Sequence, residues 1–230
     1  MKRNIEFLNF KSVVFTVFVV LSTLLMLGII LPYTSWERDV DFLKTKQFIV
    51  HLDYYRASFY THIFSSVFVL FSGAFLFSKF VLNRHPLLHR NLGKLYVLLI
   101  LVFSAPSGLI ISFYANGGIW VKLSFFILTP LWWYFTYMGY RTIKKGKVRE
   151  HRKWMIRSFA LTLSAISLRL MQFILGLIVV WDPAFQYLFV SWVSWIGNLI
   201  LAEFYIKKMY AVKPKAAIRR SKVVNPSINF

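Results

Sequence analysis

The chain has no cysteine. That excludes disulfides, iron–sulfur clusters and thiolate metal sites, so any metal or redox chemistry falls to histidine and oxygen ligands. Acids are scarce too: eight Asp and Glu stand against 28 Lys and Arg. With so few carboxylates, and no serine beside an evident base, the partner sets of a hydrolase are missing. Polar stretches long enough to fold as a soluble domain are also absent. No internal repeat is apparent.

What is present is apolar. The 230 residues are 58% hydrophobic and 19% aromatic, with only 16% charged and a mean hydropathy of +0.59. Soluble domains carry more charge than this. A transmembrane helix needs about 20 mostly apolar residues, and six segments qualify, at roughly 12–34, 56–80, 94–115, 118–140, 154–181 and 186–206. The first is longer than a signal-peptide core and no A-x-A-like cleavage site follows it, so it is expected to remain as a span. The expected fold is an all-α integral membrane protein, a six-transmembrane-helix bundle. It divides into a membrane domain over 1–211 and a basic tail over 212–230.

The net charge of +20 does not mark a nucleic-acid protein, because the basic residues sit in the connections between spans rather than on one face. Placing the N-terminus inside gathers Lys2, Arg3 and Lys11, then Lys79, Arg84, Arg90 and Lys94. It also gathers eight residues from Arg141 to Arg157 and seven from Lys207 to Lys222 on the same side. Only Arg38, Lys44, Lys46, Arg56 and Lys122 fall outside, along with most of the acids. The positive-inside rule therefore predicts N-in and C-in. The first outer connection (35–55, SWERDVDFLKTKQFIVHLDYY) is expected to carry a small amphipathic helix lying at the interface.

Ionisable residues inside a membrane are costly, so each one is a functional candidate. His62, Arg169 and Glu203 stand out. Arg169 lies roughly 18 Å from the outer end of its span, counted from Trp181 at the α-helical rise. Ser158, Thr162, Ala165, Arg169, Gln172 and Gly176 recur every three or four residues and share one face. Asn198 belongs to a similar stripe in the sixth span. An outer-half polar pocket of His62, Arg169, Gln172 and Asn198 follows as a candidate ligand site, with Arg169 holding an anionic or carbonyl oxygen and His62 able to supply a proton. Packing between helices is the competing explanation of the same stripe. Glu203, near the inner end of its span, is expected to pair with a basic neighbour.

A second group lies at the inner edge. His89 and His151 start two spans at similar depth, and His85 stands one turn before His89, although Pro86 disfavours a helical conformation there. Together His85, His89 and His151 form a candidate metal set, or two of them could bind a haem iron. Contact with phospholipid head groups is the alternative.

HRNLGKLY at 89–96, EHRKWMIRS at 150–158 and SLRL at 167–170, preceded by His62, resemble a family of bacterial predicted multi-pass membrane proteins known only as a domain of unknown function. The resemblance spans roughly residues 50–205. It implies a helical fold in the bacterial inner membrane, with His62, His89, Gly93, Tyr96, His151, Arg157 and Arg169 as signature positions. It implies no activity.

Two functions fit these residues. One is binding of a hydrophobic ligand or cofactor (quinone, lipid or haem) in the outer-half pocket or at the inner histidines. The other is an accessory subunit packed against further membrane proteins, without catalysis. In either case the inner face would hold anionic phospholipid head groups. A transporter is disfavoured: Pro106 and Pro130 interrupt the third and fourth spans, but no repeat relates them.

Overall fold

A computed structural model describes residues 10–211; the expected basic tail, 212–230, lies outside the described residues. Among these residues the regular structure is helical throughout. Six segments are long and apolar enough to cross a membrane: Val17–Ser35, Asp53–Leu76, Pro86–Ser112, Gly118–Lys144, Val148–Ile178 and Pro183–Ala211. They agree with the six expected spans to within a few residues, apart from an earlier start to the third and fifth.

Helix α1 (Phe10–Ile30) is followed by a 3-10 turn (Leu31–Ser35) and a second one (Asp41–Lys46) before α2 (Asp53–Leu76). A short α3 (Lys79–Arg84) leads into the third span, which is built of α4 (Pro86–Leu98), a π-helical turn (Leu99–Ser104) and α5 (Ala105–Ser112). Then come α6 (Gly118–Lys144), α7 (Val148–Thr162), α8 (Ser164–Ile178) and α9 (Pro183–Ala211), with α7 and α8 forming one broken span. We call the end bearing the 31–52 connection the loop end and the opposite one the terminal end.

The stretch HPLLHRNLGKLY is not a loop. His85 is non-helical (φ −131°, ψ 63°), as Pro86 requires of its predecessor, and Pro86 then takes the first position of α4. His89 is thus the fourth residue of α4, just as His151 is the fourth of α7.

The core joins α2, the third span, α6, α7 and α9 through Val69, Tyr96, Ile100, Trp132, Phe159 and Trp195. Gly73 lets α7 approach: a Cβ there would lie 2.2 Å from the Phe159 ring. Small residues that admit close backbones are how membrane helices gain contact without a hydrophobic drive between them. Helix α1 flanks α2, and α8 packs chiefly against α9. Leu24, Leu25, Phe173, Leu177, Leu201 and Phe204 point outward and uncovered. That surface suits lipid, in which backbone groups must be satisfied within each helix.

The 31–52 connection forms no α-helix. Leu43, Ile49 and Val50 turn inward against Tyr33, Tyr55, Phe59 and Tyr60, so the segment folds as a packed cap rather than as an interfacial helix. Lys46 locks it. Its side chain is buried, and its ammonium donates to the Tyr114 carbonyl and to Asn116 Oδ1. Burial, with Lys122 nearby, lowers its pKa to about 8.

Candidate functional site

The π-helical turn shapes the loop-end half of the bundle. There the Ala105 amide bonds back to Ile100 O instead of Leu101 O, and the next residue, Pro106, has no amide hydrogen to offer. Leu101 O is taken instead by Trp133 Nε1, at 3.1 Å. Ser104 O, one turn on, accepts Nδ1–H of His62 at 2.8 Å. A carbonyl can only accept, so the proton of a neutral His62 sits on Nδ1 and Nε2 carries a bare lone pair. Gly108 seats the ring: a Cβ there would come within 2.9 Å of it.

Arg169 faces the same region from α8. Its guanidinium folds back one turn to Ala165 O, at 3.2 Å, and makes no other hydrogen bond and no ion pair among the described residues. Counting from Ile178, Ala165 lies roughly 20 Å into the membrane at the α-helical rise. Arg169 is nevertheless exposed with respect to protein. Its charge reaches His62 on α2, Tyr33 beyond α1 and Tyr187 on α9. Tyr187 packs on Gly117, where a left-handed φ of 92° calls for glycine and an added Cβ would lie 3.0 Å from the Tyr187 ring. Tyr33 Oη accepts the Phe42 amide at 3.1 Å, so its own hydrogen remains to be donated. Arg169 thus has two phenols and an imidazole within electrostatic range, with no hydrogen bond from it to any of them among the described residues.

Of the four residues expected here, the structure brings His62 and Arg169 within electrostatic reach. Asn198 is engaged elsewhere: Nδ2 donates to Ala160 O at 3.1 Å, beside the α7–α8 break, and Oδ1 accepts Ser167 Oγ–H at 3.0 Å. The Gln172 side chain is exposed on the Arg169 face of α8, and its backbone carbonyl accepts Gln186 Nε2 at 2.7 Å. Tyr33 and Tyr187 escape a reading of the sequence because interfacial tyrosines are common in any aromatic belt. A concavity of 330 Å³ along α9, from Trp195 to Lys207, touches none of these groups.

At the terminal end, Glu203 pairs with Arg157 as expected, through Nε and through Nη2 at 3.0 Å, and Arg157 also covers the Trp154 ring. His151 Nδ1–H donates to Gly139 O at 2.8 Å. His89 interacts electrostatically with His151, and its Nδ1 is buried without a partner. His85 instead lies edge-on to Phe80, its ring exposed. No group of three or more His, Asp or Glu gathers among the described residues, so the three-histidine set of His85, His89 and His151 is not assembled.

Comparison with known proteins agrees with this picture. The family model described as predicted membrane protein (DUF2306) matches residues 59–206, which includes His62, the terminal-end His85, His89 and His151, and Arg169. The chain belongs to that family and is a multi-pass membrane protein. No curated protein and no solved structure matches it.

Proposed function

We propose that the protein binds an amphipathic ligand with a carbonyl or anionic head, a quinone being the best fit, at Arg169 in the loop-end half of the membrane. One observation carries this reading. Arg169 is a deep intramembrane cation exposed beside the bundle, with one hydrogen bond to its own helix and no acid partner among the described residues. Most of its five N–H donors are unspent, and such a group in hydrocarbon is expensive unless something satisfies it. A ligand oxygen does so. Tyr187 and Tyr33 supply further donors, and Nε2 of His62 accepts from a hydroxyl on the ligand. The ligand would reach the site sideways, from the lipid.

The test is ligand recovery from protein purified in native lipid. Organic extracts should contain quinone near one per chain, and Arg169→Gln should lower that recovery at least tenfold while leaving the protein monodisperse. Equal recovery from wild type and variant would overturn the assignment.

A second reading rests on the exposed row Ala165, Arg169, Gln172 and Gly176. Small and polar residues in that spacing suit a helix of another subunit. In that case a partner carboxylate, not a lipid-soluble ligand, would meet Arg169, and a gentle-detergent preparation would carry the partner in fixed ratio. We further place the chain in a bacterial cytoplasmic membrane with both termini inside, on the strength of its basic connections.

A further inference from the structure

His89 and His151, at the terminal end, belong to helices that run the same way. Helices α4 and α7 both begin there, and they are joined further up by Tyr96, whose hydroxyl meets Ser158 Oγ at 3.0 Å and Thr162 Oγ1 at 2.9 Å. His89 precedes Tyr96 by seven residues, and His151 precedes Ser158 by seven. Seven residues are two turns on the same face, so the pair that meets at Tyr96 and Ser158 predicts a second meeting about 10 Å lower. The two imidazoles lie within electrostatic range of each other.

The chemistry of the two rings is unequal. His151 donates Nδ1–H to Gly139 O, the arrangement that orients a ligating imidazole and leaves Nε2 free. No hydrogen bond among the described residues holds the His89 ring, whose Nδ1 is buried without a partner, so neither nitrogen of this imidazole is committed to a protein group. One turn above His89 stands Gly93, where an added Cβ would meet only Leu76 Cδ2, at 3.8 Å. Arg90, Lys94 and Arg152 lie at the same end, exposed and without an ion-pair partner among the described residues.

We propose that His89 and His151 are the axial ligands of a non-covalently bound haem at the terminal end of α4 and α7. A porphyrin brings four of the six ligands itself, so two imidazoles suffice; a closed zinc site would need a third and fourth protein ligand, which do not gather here. Its two propionates match the unpaired Arg90, Lys94 and Arg152. With no cysteine in the chain, thioether attachment is excluded. This site is separate from Arg169 and does not depend on the ligand proposed there.

The experiment is spectroscopic. Full-length protein made in haem-replete cells, or purified protein titrated with haemin, should show a Soret band and the sharp reduced bands of a low-spin, six-coordinate iron at one haem per chain. His89→Ala and His151→Ala should each lower haem content at least tenfold, and His85→Ala should not. Because an alanine variant could lose haem by misfolding, His151→Gly provides a second measurement: added imidazole should restore the low-spin spectrum. Absence of haem from wild type under both conditions would overturn the proposal. So would a spectrum unchanged in His89→Ala and His151→Ala, or binding of a bare metal ion in place of haemin.

Discussion

Tyr96 shows at the scale of one residue how this bundle handles polarity it cannot hydrate. The side chain is fully buried, and its hydroxyl meets Ser158 and Thr162 of α7, while Thr162 also accepts Trp132 Nε1–H and Ser158 meets Thr136, both of α6. Three helices are tied by one chain of hydroxyls. Interhelical hydrogen bonds in membranes contribute only about 0.6 kcal/mol on average, with a maximum near 1.7, because the separated helices find other partners. Tyr96→Phe keeps the ring, and Ser158 and Thr162 keep other bonds. The variant should therefore lose about 1 kcal/mol of stability in a detergent or bicelle unfolding assay. A loss above about 3 kcal/mol would mean that the network acts as a unit, beyond the sum of its pairs. Single residues were also the most legible scale. Arg169 announced itself as the one cation deep in a span, and Glu203 found the basic partner expected of it in Arg157. Asn198 did not announce its role, since its two partners, Ala160 O and Ser167 Oγ, depend on how α7 and α8 meet.

At the scale of elements the sequence was less explicit, because departures from ideal helix come from tertiary packing. The α7–α8 break at Leu163 has neither proline nor glycine to mark it. The π-helical turn does have a signal, Pro106, but proline alone does not say that the ladder shifts register just before it, or that Trp133 and His62 collect carbonyls nearby. The 31–52 cap is the clearest departure. Its alternation of charged and apolar residues suggested a helix on the membrane surface, yet Lys46 is drawn inward by two oxygens and the apolar residues follow it. That has a pH consequence. Lys46 has a pKa of about 8 in the folded cap against 10.5 when released. Below pH 8 both states are protonated and the cost of the buried charge is fully present. Between about pH 8 and 10.5 the released state binds more protons, so the stability of the cap rises with pH. The neutral amine still has two hydrogens for its two acceptors. Amide exchange of residues 41–52 should accordingly slow, relative to the intrinsic rate, as pH rises through this window. Lys46→Met should abolish that trend, and a cap that loosens above pH 8 would contradict it.

For the whole molecule, the six-span architecture was readable because hydropathy and charge are sums over long segments and tolerate local error. The same sums predict a direction in the membrane. The terminal end carries the connections around Arg84–Lys94 and Arg141–Arg157, while the loop end carries Glu37, Asp39, Asp41, Asp53 and Asp182. A basic excess of this size should hold the terminal end in the cytoplasm. The missing cysteine makes this directly measurable, because any introduced thiol is the only one in the chain. Asp39→Cys in the cap and Gly118→Cys at the start of α6 should react with a membrane-impermeant maleimide in intact spheroplasts. Gly146→Cys, at the α6–α7 turn where φ is 68°, should react only after permeabilisation. Gly118, with φ 83°, and Gly146 both carry a left-handed φ that strains a substitution, and both positions are exposed. The inverse labelling pattern would place His89 and His151 outside, where haem would have to be delivered across the membrane, and would turn Arg169 toward the inner leaflet. The two candidate sites would then exchange compartments while keeping their chemistry, so this measurement decides which pool of ligand each one draws on.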